Sequence, residues 1–171
     1  MDILFLHSEE SKNILGCYAN IEAFAAVVVK VFQDNSRYEI IDCLLRRRLG
    51  LKPIADDLIE FSNIYKINYF IGNSIAETVY RGGTLRKNYE IPVDIQWETN
   101  QIHVEKSLFL TECYLNEDRL KIAPEVEDAM DKELRYFDLR RYLEDGRASH
   151  RLFAFFHAIT SANPITPTWA A

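Results

Sequence analysis

Cysteine, glycine and proline are all scarce in this chain, and each scarcity removes a class of protein. With Gly 6 and Pro 5 among 171 residues, neither a collagenous repeat nor a low-complexity disordered tract is available. The three cysteines, Cys17, Cys43 and Cys113, are odd in number and far apart, and no CxxC pair exists. That leaves no zinc knuckle and no thioredoxin-type dithiol. Each thiol has apolar or aromatic neighbours and reads as a buried free cysteine in a reducing compartment. Long apolar runs are missing too. The longest, residues 23–29, ends at Lys30 after seven residues, against roughly 20 needed to span a bilayer. The chain opens with Asp2 and soon reaches Glu9 and Glu10, the reverse of a secretory leader, so the expected compartment is the cytoplasm.

What is present is an ordinary globular composition: 48% hydrophobic, 27% charged, Lys+Arg 20 against Asp+Glu 26, net charge -6. A chain of this length buries about 70% of its unfolded surface and needs no metal or disulfide staple. An acidic total also argues against non-specific duplex binding, where clustered cations must replace condensed counterions. Neither nucleic acid nor membrane is an expected partner.

The hydrophobic pattern divides the chain into helical, strand-like and again helical sections. Residues 3–6 read as a short buried strand, with Ser8 placed to cap a polar helix start. Asn20 is placed as the N-cap of a helix in which Phe24, Val27, Val28, Val31 and Phe32 share one face. Ile40, Ile41, Leu44, Leu45 and Leu49 repeat at helical spacing before Gly50. Pro53 then opens a third helix carrying Ile54, Leu58, Phe61 and Tyr65. From Tyr69 the pattern becomes strand-like: residues 69–71, the alternating residues 89–97, then Ile102 with Val104, then residues 108–115. Pro124 starts a helix, Asp138 can cap a short one ending near Gly146, and Ser149 a last one. The expected fold is α+β, helices packed against a small antiparallel β-meander in one domain over residues 1–160, with an extended tail at 161–171.

No catalytic motif assembles from this order, and no metal site or cofactor is expected. His7, His103, His150 and His157 include no pair within four residues of each other. On a strand, His103 and Glu105 would share one face, where a carboxylate could orient a general base; the same pattern describes any solvated sheet face. The 81–86 loop, with Arg81, Gly82, Gly83, Thr84 and Arg86, could cradle an anion, or be a plain turn. Arg46, Arg47 and Arg48 read as a solvated helix face with cations near its C-terminus.

Charge is distributed unevenly. Residues 112–145 hold eleven acids and six bases, whereas residues 36–52 hold two acids and five bases. Glu125, Glu127, Asp128, Asp131 and Glu133, interleaved with Tyr136 and Tyr142, have the composition of a partner-binding face: aromatic anchors inside a charged rim. In size and charge the chain resembles small bacterial immunity proteins of competition systems. That resemblance implies an antitoxin-like inhibitor, whose carboxylates would block a basic toxin such as a nuclease by steered protein–protein binding. The alternatives are a small hydrolase or transferase using His103, Glu105 and the 81–86 loop, or an adaptor subunit docking through the tail around Trp169.

Overall fold

Four valines within Ala23–Phe32 settle the state of this segment: it is a strand, not the central helix that its spacing suggests. β-Branched side chains lose rotamer freedom in a helix and pack well on a pleated surface. The segment is β2 in the computed structural model, which describes residues 11–32, 37–47, 51–73, 75–76, 93–94 and 101–162. Alternate residues of β2 enter different cores: Ala25, Val27, Val29 and Val31 on one side, Phe24, Ala26 and Val28 on the other. A strand buried on both faces shows no polar alternation, so its apolar run imitates an all-round apolar helix.

Two antiparallel neighbours flank it. β1 (Ser11–Ala19) sets Ile14 opposite Val29, and β3 (Tyr38–Arg47) sets Cys43 opposite Val27. β3 is the second segment whose helical spacing misleads, and its Arg46 pairs at 2.6 Å with Asp57. Asn20 does not cap a helix. It closes the β1–β2 turn, its Oδ1 accepting from the backbone N–H of Glu22 at 2.9 Å and of Ala23 at 3.1 Å. The hydrogen bonding is that of a cap, used here in a hairpin.

The helix α1 (Leu51–Tyr65) forms as expected and covers one face of the sheet with Ile54, Ala55 and Leu58. It is the crossover that lets β4 (Tyr69–Gly72) lie parallel to β1, with Gly72 beside Cys17. β5 (Val93–Asp94), all that is described of the 89–97 strand, runs parallel to β4. The strands expected at 102–104 and 108–115 are instead one helix, α2 (Gln101–Asn116). Its apolar Ile102 and Phe109 are 63% and 66% exposed, whereas His103, Ser107 and Thr111 are buried. The buried hydroxyls are satisfied locally, Ser107 Oγ donating to the His103 carbonyl and Thr111 Oγ1 to the Ser107 carbonyl, each at 2.7 Å. With polar groups inside and apolar ones outside, the helical period is invisible in the sequence.

β6 (Leu120–Ile122) joins the far edge parallel to β3, giving a six-stranded mixed sheet in the order β5-β4-β1-β2-β3-β6. Three helices complete the described chain: α3 (Pro124–Tyr136), α4 (Leu139–Asp145) and α5 (His150–Ala162). The caps of α4 lie where the sequence places them. Asp138 accepts from the N–H groups of Arg140 and Arg141, and Gly146 ends α4 in the left-handed conformation at φ 65. Ser149 differs: its hydroxyl donates to Glu133 at 3.0 Å. Helices α2, α3 and α5 pack on the face opposite α1, with Phe153, Phe155 and Phe156 of α5 fully buried. The α+β class therefore stands, but around a mixed sheet whose antiparallel part is β1–β2–β3. Residues 3–6, the 81–86 loop and residues 163–171 lie outside the described residues. Among the described residues, no helix is long and apolar enough to cross a membrane.

Candidate functional site

In open sheets with parallel strands, binding sites gather at the carboxyl ends of those strands. Here β1 and β4 end side by side at Ala19 and Gly72, and the first turn of α5 arrives above them. The close approach of α5 depends on small residues. A Cβ at Gly16 would lie 2.2 Å from the Ala154 carbonyl oxygen and 2.8 Å from the Ala158 Cβ.

Four side chains converge at this point: Tyr18, Asn20, Asn73 and His150. Asn73 prolongs the β1–β4 ladder with its carboxamide. Nδ2 donates to the Ala19 carbonyl at 2.7 Å, and Oδ1 accepts from Ala19 N at 3.1 Å and Ala76 N at 3.2 Å. Asn20 Oδ1, already accepting two backbone N–H groups, also faces His150 Nε2 at 3.0 Å. A carboxamide oxygen only accepts, so Nε2 carries the proton and donates. Burial, with Arg47 nearby, pushes His150 below its ordinary value, which keeps the imidazole neutral. The Tyr18 ring meets His150 edge-on at 5.7 Å and Phe153 at 5.2 Å. Burial lifts its hydroxyl to about 12, against a smaller opposing hydrogen bond from Asn20. The cluster is therefore polar and neutral, with His150 meeting Tyr18 and Asn20 while Asn73 holds the Ala19 backbone between those two residues.

Beside it, a cleft of about 310 Å³ runs from the end of β3 along α3 and α4 to the start of α5. Arg47, Lys132, Arg141 and Arg147 line it, together with Tyr136 and Tyr142. The carboxylate of Glu133 at its edge is occupied. Oε1 accepts from Ser149 Oγ at 3.0 Å and Arg151 N at 3.1 Å, and Oε2 faces the Arg151 guanidinium at 3.4 Å. A negative charge at the N-terminus of α5 suits the positive end of the helix and offsets Arg151, a cation poorly placed there.

The residues singled out from the sequence separate in space. His103 is buried on the inner side of α2, while Glu105 is exposed and accepts from Gln101 Nε2 at 2.8 Å, so the two form no acid–base pair. His103 stacks instead on His157 of α5, ring centroids 4.8 Å apart, across 54 residues of sequence. Of the acidic set, Asp128 pairs with Lys132 at 2.9 Å and Asp131 with Arg135 at 2.8 Å, while Glu125 and Glu127 are exposed outside the cleft. Only Glu133, Tyr136 and Tyr142 of that set reach the cleft. Residues 11–19 carry no clean strand pattern in the sequence, and this hides Tyr18, Asn20 and Asn73 as a group. Two asparagines, each just beyond a strand, are the signal that could have found them.

No family model and no curated protein matches the sequence. Solved structures do match in fold. The large terminase of a thermophilic bacteriophage is 12% identical at TM-score 0.65; the match covers 88% of this chain, which spans only 39% of that one. The large terminase nuclease domain of bacteriophage SPP1 with bound Mn is 20% identical at TM-score 0.54, over 77% of this chain and 71% of that one. Fowlpox virus resolvase, solved with Holliday junction DNA, is 10% identical at TM-score 0.52, over 90% and 99%.

The manganese in the SPP1 structure calls for a test of fit. Such hard cations take open oxygen ligands, chiefly carboxylates. At the ends of β1 and β4 the oxygens of Asn20 and Asn73 are already saturated by N–H donors, and no group of three or more His, Cys, Asp or Glu able to hold a metal occurs among the described residues. Among the described residues the donor set at these strand ends does not fit. The fold also corrects the functional expectation: a chain built like terminase nuclease domains and resolvases is not an immunity-type inhibitor or antitoxin. The chain shares the overall fold of those structures.

Proposed function

We propose that this chain is a nucleic-acid-binding protein on a nuclease fold, one that engages DNA without cutting it through a metal centre at the β1 and β4 ends. The observation that carries the reading is the carboxylate-free group of Tyr18, Asn20, Asn73 and His150 at the position where the sheet topology focuses ligands. These neutral side chains can position a strand, but they include no carboxylate of the kind that hard cations require. Support for nucleic acid comes from the fold shared with DNA-processing proteins and from cations lining the neighbouring cleft. This partner reverses the expectation from total charge, because a net charge of -6 coexists with a locally basic surface.

A second reading, cleavage as well as binding, draws on the likeness to nuclease domains. Near the cluster, Glu22 is the one carboxylate whose charge acts on both Tyr18 and His150 among the described residues, so further ligands would have to come from elsewhere in the chain. The binding claim is tested by mobility shift of duplex and four-way junction DNA at low and physiological salt. Salt-sensitive binding is expected; no binding to either DNA at low salt would remove the proposal.

A further inference from the structure

A partner class alone does not fix where on the surface a strand lies. Resting on the DNA-binding reading, we infer that the cleft bounded by α3, α4 and the start of α5 receives a short single-stranded segment, with its phosphates on Arg47, Arg141 and Arg147 and a base stacked on Tyr136.

Charge favours this placement. The cleft presents four cations against two carboxylates, Glu133 and Asp138. Both carboxylates are already used, Glu133 at the start of α5 and Asp138 at the start of α4. Arg47, Arg141 and Arg147 are exposed and make no ion pair among the described residues. Lys132 is tied at 2.9 Å to an exposed Asp128, an arrangement that water screens readily. Guanidinium forks left open beside a recess suit phosphate oxygens, which they can bind two at a time.

The aromatic residues favour it independently. Tyr136 is 82% exposed at the rim, which leaves its ring accessible to a base. Tyr142 is held by an edge contact with Phe153 at 5.1 Å and forms a fixed wall. Cations that track a backbone, combined with an aromatic face for bases, are the composition of single-strand sites. A recess of about 310 Å³ admits a nucleotide or two, not a duplex. A peptide that offers only carboxylates, such as poly-glutamate, could use the same arginines but has no ring to stack on Tyr136. The cleft shares His150 with the strand-end cluster, so a strand lying in it would pass directly beside Tyr18 and Asn20.

The test is fluorescence anisotropy of a labelled oligothymidylate of about twelve nucleotides, within the usual site size of single-strand binders, against the full chain. Arg141→Ala combined with Arg147→Ala should weaken binding about tenfold or more and flatten its salt dependence. Tyr136→Ala should weaken it roughly 5- to 100-fold, the range lost with one stacked base, and Tyr136→Phe should stay within about twofold of wild type. If wild type binds the oligonucleotide but all three variants bind equally well, the cleft is not the site and the broader DNA-binding reading survives. If wild type binds neither this probe nor duplex DNA, that reading itself fails. Equal binding of poly-glutamate, unaffected by Tyr136→Ala, would mark the cleft as a peptide site and overturn the inference.

Discussion

The carboxamide of Asn73 clasps the backbone of Ala19 from both sides, donating to its carbonyl at 2.7 Å and accepting from its N–H at 3.1 Å. A carboxylate cannot do this, because it has no donor for the Ala19 oxygen. Asn73→Asp should therefore cost about 2 kcal/mol of stability at neutral pH, the range for a buried polar mismatch, measured by urea unfolding. Protonating the new carboxyl restores the donor, so the deficit relative to wild type should shrink at acid pH. An unchanged urea midpoint at pH 7 would show that the clasp does not order the ends of β1 and β4.

Gly16 meets α5 where no side chain fits, with an added Cβ 2.2 Å from a backbone oxygen. Since that neighbour is backbone and not a flexible side chain, Gly16→Ala must push β1 and α5 apart. A loss of about 1–3 kcal/mol is expected, the usual cost of overpacking, read as a lower urea midpoint. Wild-type stability would mean that the helix does not sit this close to the strand.

The stacked pair of His103 and His157 makes stability depend on pH. Burial pushes His103 down to about 4, and burial with His103 alongside pushes His157 down to about 3. In the unfolded chain both protonate near the ordinary value of about 6.5. Between that value and the folded ones the unfolded state binds more protons, so stability is full above about pH 6.5 and declines as pH falls. The loss at pH 5 is on the order of 2 kcal/mol for each imidazole. His157→Phe should flatten the fall between pH 7 and pH 5. An equally steep fall in the variant would place the pH dependence elsewhere.

Much of the C-terminal half is legible in the sequence because local chemistry and tertiary position agree there. Pro124, Asp138 and Gly146 each mark a helix boundary through backbone geometry or a cap, and none depends on distant partners. The sheet is hidden for the opposite reason. β2 is buried on both faces, and so its valines repeat at intervals that also satisfy a helix. α2 turns His103, Ser107 and Thr111 inward against α5 and leaves Ile102 and Phe109 outside, which inverts the usual signal. Without β1, Tyr18 and Asn73 cannot be recognised as neighbours, since their proximity exists only through the parallel β1–β4 pairing. The acidic residues of α3 stand out by their number, yet Asp128, Asp131 and Glu133 are bound to partners within the chain.

Whether the strand-end cluster binds without cutting is decided by one incubation. The full chain, in excess over end-labelled duplex and four-way junction DNA, is held with Mn²⁺, with Mg²⁺ and with chelator, and the DNA is examined both for retardation and for length. The expected result is retarded, full-length DNA in all three conditions, with no gain in affinity on adding metal. DNA shortened in Mn²⁺ or Mg²⁺ but intact in chelator would contradict it, and would mean that carboxylates beyond Tyr18, Asn20, Asn73 and His150 complete a metal centre.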